Sequence, residues 1–262
     1  METPTFTDLR IERHGHVALI EMCRPPHNFF DHALIVALAD ALEMLERDAQ
    51  CRAVVLAAQG TAFCAGANFG DGKGAEGPER PRALNPIYAE ALRMFATTKP
   101  VIAAIQGAAV GGGLGLALAA DFRVACPQAR FTANFNRLGF HPGFGLSVTL
   151  PRLVGQQKAA LLFYTGRRID GNEAHAIGLV DQLAPNPESV REAALALAQE
   201  IATSAPLAVQ STRATLRNDL LPALRQAVAR ESEEQFAHFR TQDFVEGVKA
   251  MSERRPPNFA GA

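Results

Sequence analysis

The stretch 101–120, VIAAIQGAAVGGGLGLALAA, constrains the fold most, because it passes without interruption from an apolar segment through a cluster of glycines into a second apolar segment. Entered from Pro100 and partly β-branched, residues 101–106 suit a strand covered on both faces. Gly107, Gly111, Gly112, Gly113 and Gly115 let the backbone turn sharply and approach a ligand closely, and 114–120 can begin a helix. Strand, glycine turn and helix start in that order make an anion site, since the unpaired N–H groups at a helix N-terminus favour negative charge. The competing reading is a membrane span: only Gln106 is polar, and Gly107, Gly111 and Gly115 form a double GxxxG pattern. Glycines that each cost roughly 1 kcal/mol relative to alanine in a helix, and flanks without basic or aromatic anchors, decide for the water-soluble reading.

A chain of 262 residues has room for a substantial core without disulfides. With 26 basic against 27 acidic residues and no long basic run, nucleic-acid binding by phosphate neutralisation is not expected. Cys23, Cys51, Cys64 and Cys126 stand singly, with no CxxC and no paired His/Cys spacing, so neither a metal site nor a disulfide framework is expected. A reducing cytoplasm fits, and METPTFTDLR lacks the basic-then-apolar order of a signal peptide. Searches for GxSxG, GxxxxGK[ST] and HExxH are empty, which removes serine hydrolases, P-loop nucleotidases and zincins.

Along the chain, 16–23 reads as a strand ending at Arg24-Pro25-Pro26, and Asp31 can cap a helix on which Leu34, Ile35, Leu38, Leu42 and Leu45 share a face. Residues 53–58 (AVVLAA) form the next expected buried strand, followed by another glycine turn, GTAFCAGANFG. The segment 70–82, rich in Gly, Pro and charge, reads as a loop and candidate lid leading into a helix over 86–95. A short strand over 121–125 precedes a mostly irregular 131–145 and a run of helices from about Ser147; 187–254 is helical with alanine-rich and charged faces. Alternation of strand and helix in the first half implies a parallel sheet.

The two strand-turn units AVVLAAQGTAFCAGANF and VIAAIQGAAVGGGLGLALAADFRVA closely resemble the crotonase superfamily, also called the enoyl-CoA hydratase/isomerase family. RPPHN, RLGFHPGFG, TGRRIDGNEAHAIGLVD and DFVEGVKAMSERRPPNF extend the resemblance over nearly the whole chain. It implies an α/β fold of the ClpP/crotonase type, a spiral of repeated ββα units in two roughly perpendicular sheets. Residues 1–200 would form the core with the acyl-CoA site, and 201–262 a helical region of the same domain used in trimer or hexamer assembly. It also implies an acyl- or enoyl-CoA substrate, with coenzyme A as part of the substrate and no separate cofactor. Motif matching gives the thioester oxygen two backbone donors, Ala65 and Gly112. Cys64, Gly66, Ala67, Asn68 and Gly111 would line the same turns. Backbone donors suit the chemistry, because removing an α-proton or adding at the β-carbon throws negative charge onto that oxygen.

The chain departs from this pattern at the two places where hydratases of the family carry glutamates, which here hold Gly115 and Phe135. A shift of one residue would bring Asn134 or Asn136 to the second place, still without a carboxylate. Acid–base groups of this kind typically contribute about 10²–10⁴-fold, so ordinary enoyl-CoA hydration is expected to be poor. His141, in the loop bordering the family's acyl pocket, is the first substitute; the alternative is a histidine that bonds its own loop. Tyr88 can donate a proton or simply pack at a helix interface. Cys64 has no histidine beside it in sequence and reads as structural. Phe29, Phe30, Phe131, Phe135, Phe140 and Phe144 suggest an apolar acyl chamber, with core packing as an equal explanation. Arg24, Lys249, Arg254 and Arg255 either meet the phosphates of coenzyme A or form solvated helix faces.

Overall fold

The computed structural model describes residues 6–68 and 83–262; the loop expected over 70–82 lies outside the described residues. Two sheets organise the chain. The larger contains β1 (Leu9–His14), β2 (Val17–Met22), β3 (Ala53–Ala58), β5 (Val101–Ile105), β7 (Phe122–Ala125) and β10 (Gln182–Leu183), adjacent in that order. All its pairings are parallel except β1 with β2. Strands β2, β3 and β5 are buried at every position, which is why their sequences are apolar runs and not alternations.

The smaller sheet is built from β4 (Ala62–Cys64), β6 (Ala108–Val110), β8 (Arg130–Thr132) and β9 (Ile169–Asp170). Each of β3, β5 and β7 runs on through a tight turn into a strand of this second sheet, so the repeated unit is two strands and a connection. In the sequence β4 and β6 read as parts of glycine turns, because three residues are too few for a strand pattern to emerge. The edge strand β1 is an addition to the expected strands.

The expected helices form where their signals stand. Helix α1 (His32–Glu46) is capped by Asp31, whose Oδ1 accepts from Leu34 N–H at 2.9 Å. Leu34, Ile35, Leu38, Leu42 and Leu45 are all buried on one face, each contributing about 1.5–3 kcal/mol. Helix α2 (Pro86–Phe95) starts with Pro at its first position and an Asn85 cap onto Ile87 N–H. Helix α3 (Gly112–Ala119) is apolar all round and buried at every position, the condition of a helix inside a core. Among the described residues no helix is long and apolar enough to cross a membrane.

After β8 a 3₁₀ turn over Asn134–Leu138 leads to α4 (Leu146–Val154), α5 (Gln156–Thr165), β9 and α6 (Gly171–Ala176). Helix α7 (Val190–Ala202) packs across β2, β3, β5 and β7, while α8 (Pro206–Leu216) sends no residue into the core and is held by Arg213, whose side chain turns in to Asp121. Helix α9 (Leu220–His238) lies on α2 and α4, and α10 (Gln242–Ser252) on the 3₁₀ turn. The last two helices therefore reach back to the turns of the smaller sheet.

Candidate active site

The smaller sheet brings the two glycine turns together. At the end of β6, Gly111 adopts φ +54°, a conformation open to glycine, and its carbonyl accepts from Leu114 and Gly115 N–H at 3.0 and 3.2 Å to start α3. Its own N–H is tied to Thr132 O in β8 at 2.9 Å. An ideal Cβ on Gly113 would fall inside contact distance of Cys64 O and 2.8 Å from the Cys64 carbonyl carbon, so the first turn of α3 lies directly against the end of β4. On the other side, an ideal Cβ on Gly66 would stand 2.8 Å from Val110 O and 3.8 Å from Gly112 N.

This contact decides which N–H groups face outward. Ala65 N–H donates to His27 O at 2.9 Å, so the donor expected at Ala65 is spent inside the protein. Phe30 N–H takes Gly66 O at 3.0 Å, and Phe30 is paired in parallel with Ala67, an arrangement that leaves the Ala67 N–H outside the ladder. Among the described residues neither Ala67 N–H nor Gly112 N–H has an acceptor, and both residues line one cavity. As the first residue of α3, Gly112 carries one of the unsatisfied donors of a helix N-terminus. The Ala65 expectation falls two residues too early; among the described residues Ala67 is the one whose donor is available.

The cavity measures about 300 Å³. Phe29, Phe30, Phe135, Phe140 and Phe144 line it as expected, whereas Phe131 is buried in the core. Phe144, at φ +62°, packs its ring 5.7 Å from Phe30 and 6.3 Å from Tyr88. An ideal Cβ on Gly115 would lie 2.7 Å from Phe144 Cβ, so glycine at 115 makes room for that ring. Phe135 stands beside the same glycine run, its Cζ 3.8 Å from an ideal Cβ on Gly111. Among the described residues, those lining the cavity include no Asp, Glu, His, Lys or Arg.

Tyr88 is the ionisable group on this wall. It is buried, its hydroxyl donates to Gln235 Oε1 at 2.8 Å, and burial raises its pKa above the usual phenol range, so it stays neutral. Gln235 Nε2 in turn donates to His141 O at 2.9 Å. One turn back on α9, the buried Glu231 carboxylate accepts from Gly145 N–H at 2.8 Å, Ser147 N–H at 3.1 Å and the Ser147 hydroxyl. Ser232, beside it, accepts from Asn85 N–H at 3.1 Å. A polar stripe on α9 thus fixes the start of α2 and the loop before α4 around the cavity.

Residues 12–262 match the sequence profile of the family described as enoyl-CoA hydratase/isomerase. The chain belongs to that family. It is 36% identical over 253 residues to the human mitochondrial enoyl-CoA hydratase domain-containing protein 2, covering 92% of this chain and 85% of the relative. It is 31% identical to enoyl-CoA hydratase EchA19 of Mycobacterium tuberculosis, over 96% of each chain. Among solved structures, an enoyl-CoA hydratase from Mycobacterium avium subsp. paratuberculosis superposes with a TM-score of 0.84 at 27% identity, covering 98% of this chain and 100% of the other. The fold is accordingly the mixed α/β crotonase type with a helical C-terminal region.

Within this enoyl-CoA hydratase/isomerase scaffold, Ala65, Gly66, Ala67, Asn68, Tyr88, Gly111, Gly112 and Phe135 come together at the cavity, Ala65 with its N–H turned to His27 O. His141 does not. It lines a second cavity with His238, Thr241 and Asp243, and its Nδ1 lies 2.7 Å from Pro142 O, so the ring bonds its own loop. Cys64 is fully buried behind the turn, and burial pushes its thiol up to about 12, which makes it structural. Arg24 is held between Asp8 at 2.6 Å and Asp31 at 2.9 Å and does not line the cavity. Arg255 is bound by Glu246 and Glu253, while Lys249 and Arg254 are exposed near the Met251 and Ser252 that do line it. The sequence reading missed Gln235, Phe239, Met251 and Ser252, all from helices that read as charged outer faces. The one signal available was spacing: Glu231, Ser232 and Gln235 continue the helical face of Leu220, Leu224 and Val228.

Proposed function

We propose that the protein binds an acyl-CoA thioester with its carbonyl oxygen between the N–H groups of Ala67 and Gly112 and reacts through the enolate, as a lyase or isomerase of acyl-CoA metabolism. The observation that carries this reading is the pair of backbone donors, without acceptors of their own among the described residues, lining one apolar cavity. When an enolate forms, charge collects on the thioester oxygen, and a preorganised donor aimed at it is worth about 10²–10³ in rate. Family membership and the named hydratases among its relatives support the thioester class.

Hydration itself is disfavoured by the glycine at 115 and the phenylalanine at 135, since neither moves a proton. The proton steps then fall to the substrate and bound water, which suits reactions where a group on the acyl chain leaves or migrates. The second reading, a CoA-thioester binding protein without turnover, is favoured by the same lack of acids. Assembly into trimers or hexamers would engage α8, where Leu207 and Leu216 are exposed; light scattering checks it.

The test is incubation of purified protein with enoyl-, 3-hydroxyacyl-, 3-oxoacyl- and malonyl-type CoA thioesters, with products resolved by chromatography and mass spectrometry. Isomerisation, decarboxylation or hydrolysis identifies the reaction. Binding without conversion supports the second reading. Hydration of crotonyl-CoA at ordinary enzyme rates refutes the role given to Gly115 and Phe135, and no binding of any thioester refutes both readings.

A further inference from the structure

The polar side chains on the cavity wall can be accounted for one by one. The Tyr88 hydroxyl donates to Gln235, and the Gln235 amide is used at both ends. Asn85 Oδ1 accepts from Ile87 N–H at 3.0 Å, and the Ser252 hydroxyl donates to Lys249 O at 2.8 Å. Asn68 is already engaged. Asn134 lines the same cavity, is half-buried, and its carboxamide has no partner among the described residues. A primary amide offers two donors and a carbonyl acceptor. All of that capacity faces whatever fills the cavity.

Its position is set by the fold. Asn134 opens the 3₁₀ turn two residues after Thr132, whose carbonyl holds Gly111 N–H at 2.9 Å. From behind, Gly166 packs so closely that an ideal Cβ there would lie 3.3 Å from Asn134 Cα. The result is that Asn134 Oδ1 stands 3.3 Å from an ideal Cβ on Gly111, beside the residue that supplies one of the two outward N–H groups. An amide so near that donor reaches acyl atoms within a few bonds of the thioester carbonyl.

Resting on the thioester reading above, we infer that Asn134 is a specificity-determining residue that hydrogen-bonds an oxygen substituent at C2 or C3 of the acyl group. Among the described residues the other side chains near the turns are mainly aromatic, with Asn68 already engaged, so the preference for oxygenated over plain acyl groups would depend on this amide. No charge is involved, and the amide accepts from a hydroxyl or donates to a ketone equally well.

The experiment measures dissociation constants by calorimetry for butanoyl-, 2-hydroxybutanoyl-, 3-hydroxybutanoyl- and 3-oxobutanoyl-CoA with the wild type, Asn134→Ala and Asn134→Asp. Because the Asn134 side chain has no partner among the described residues, both variants are expected to fold, and circular dichroism checks it. The expected result is a loss of about 3–10-fold for at least one oxygenated ligand in N134A, with butanoyl-CoA unchanged. N134D, which only accepts when ionised, keeps the hydroxyacyl ligands and loses the 3-oxo ligand if the ketone is the group recognised. Equal effects on plain and oxygenated ligands, or no effect on any, overturn the inference while leaving the thioester site standing. Failure of the wild type to bind any of the four removes that site and this inference with it.

Discussion

Substituting Gly113 by alanine tests whether the contact between the two turns builds the site. The new Cβ would meet a backbone carbonyl, with the Cys64 carbonyl carbon at 2.8 Å and Cys64 Cβ at 3.0 Å. Carbon pairs prefer about 3.5–4.0 Å, so β4 or α3 must yield by roughly 1 Å, and neither is a flexible side-chain end. Overpacking of this kind costs about 1–3 kcal/mol, partly offset by the roughly 1 kcal/mol that alanine gains over glycine in a helix. For a chain of this size each kcal/mol lowers Tm by about 2–4 °C, so a net cost of up to about 2 kcal/mol means a fall of up to about 8 °C. The functional effect is larger, because spreading the turns separates the Ala67 and Gly112 N–H groups, and a misplacement of about 1 Å can cost 10²-fold in rate. The assay pairs thermal unfolding with turnover, or with affinity if the protein only binds. Gly112→Ala is the comparison, since its Cβ meets the movable ring of Phe30. A G113A protein with wild-type activity and Tm would refute the claim that this approach holds the donors in place.

Further outcomes follow from groups around the cavity. Burial holds the Glu231 carboxyl above the usual carboxylate range, so the native state retains its proton longer than the unfolded chain. That stability is full below the unfolded value of about 4.3 and declines as pH rises to the native value. The advantage of the wild type over Glu231→Gln in urea unfolding therefore shrinks as pH rises through that window; a constant difference would contradict it. Cys64, with its thiol near 12 and no exposure, is expected to escape iodoacetamide at pH 8 while the partly exposed Cys23 is labelled, as peptide mass spectrometry will report. His141→Ala should leave thioester affinity within about twofold, because the ring faces the second cavity; a larger loss measured by calorimetry returns His141 to the site. Asp31→Ala removes the cap of α1 and the Arg24 ion pair, and is expected to cost about 1 kcal/mol in denaturant unfolding.

What could be read in advance separates along physical lines. Strands β3 and β5 and helix α1 were legible because each carries a local signal: a continuous apolar run in the strands, the Asp31 cap and an apolar face at helical spacing in the helix. Strands β4 and β6 were not, since at three residues their pairing is imposed by the turns from the larger sheet. The site divides in the same way. The two turns and most of their aromatic neighbours were recognised from the chain. Which amide of the first turn faces the cavity depends on His27 O, thirty-eight positions earlier and without any side-chain signature. Gln235, Ser232 and Glu231 lie in a helix whose sequence is highly charged, and although they continue the face of Leu220, Leu224 and Val228, their polarity reads as solvated until their burial against α2 and α4 is seen.

The two positions where the family's hydratases are expected to carry acids are more than vacated. Phe144 occupies the space over Gly115, with its Cβ 2.7 Å from where a side chain at 115 would start, and the same ring contacts Phe30 and Tyr88. A glutamate introduced at 115 must therefore displace a fully buried aromatic that also shapes the wall beside Tyr88. Phe135 is bound in likewise by its edge contact with Phe140, at 5.4 Å between rings, and Phe140 by Phe239 and Phe244 from the C-terminal helices. Restoring two acids would thus require unpicking an aromatic cluster that runs from the glycine turns to α10. Among the described residues the cavity thus has backbone donors at one end, neutral amide and phenol groups on its wall and aromatic rings between them. On the function proposed above, chemistry in such a chamber would rest on what the donors do to the thioester and on the groups the acyl chain brings with it.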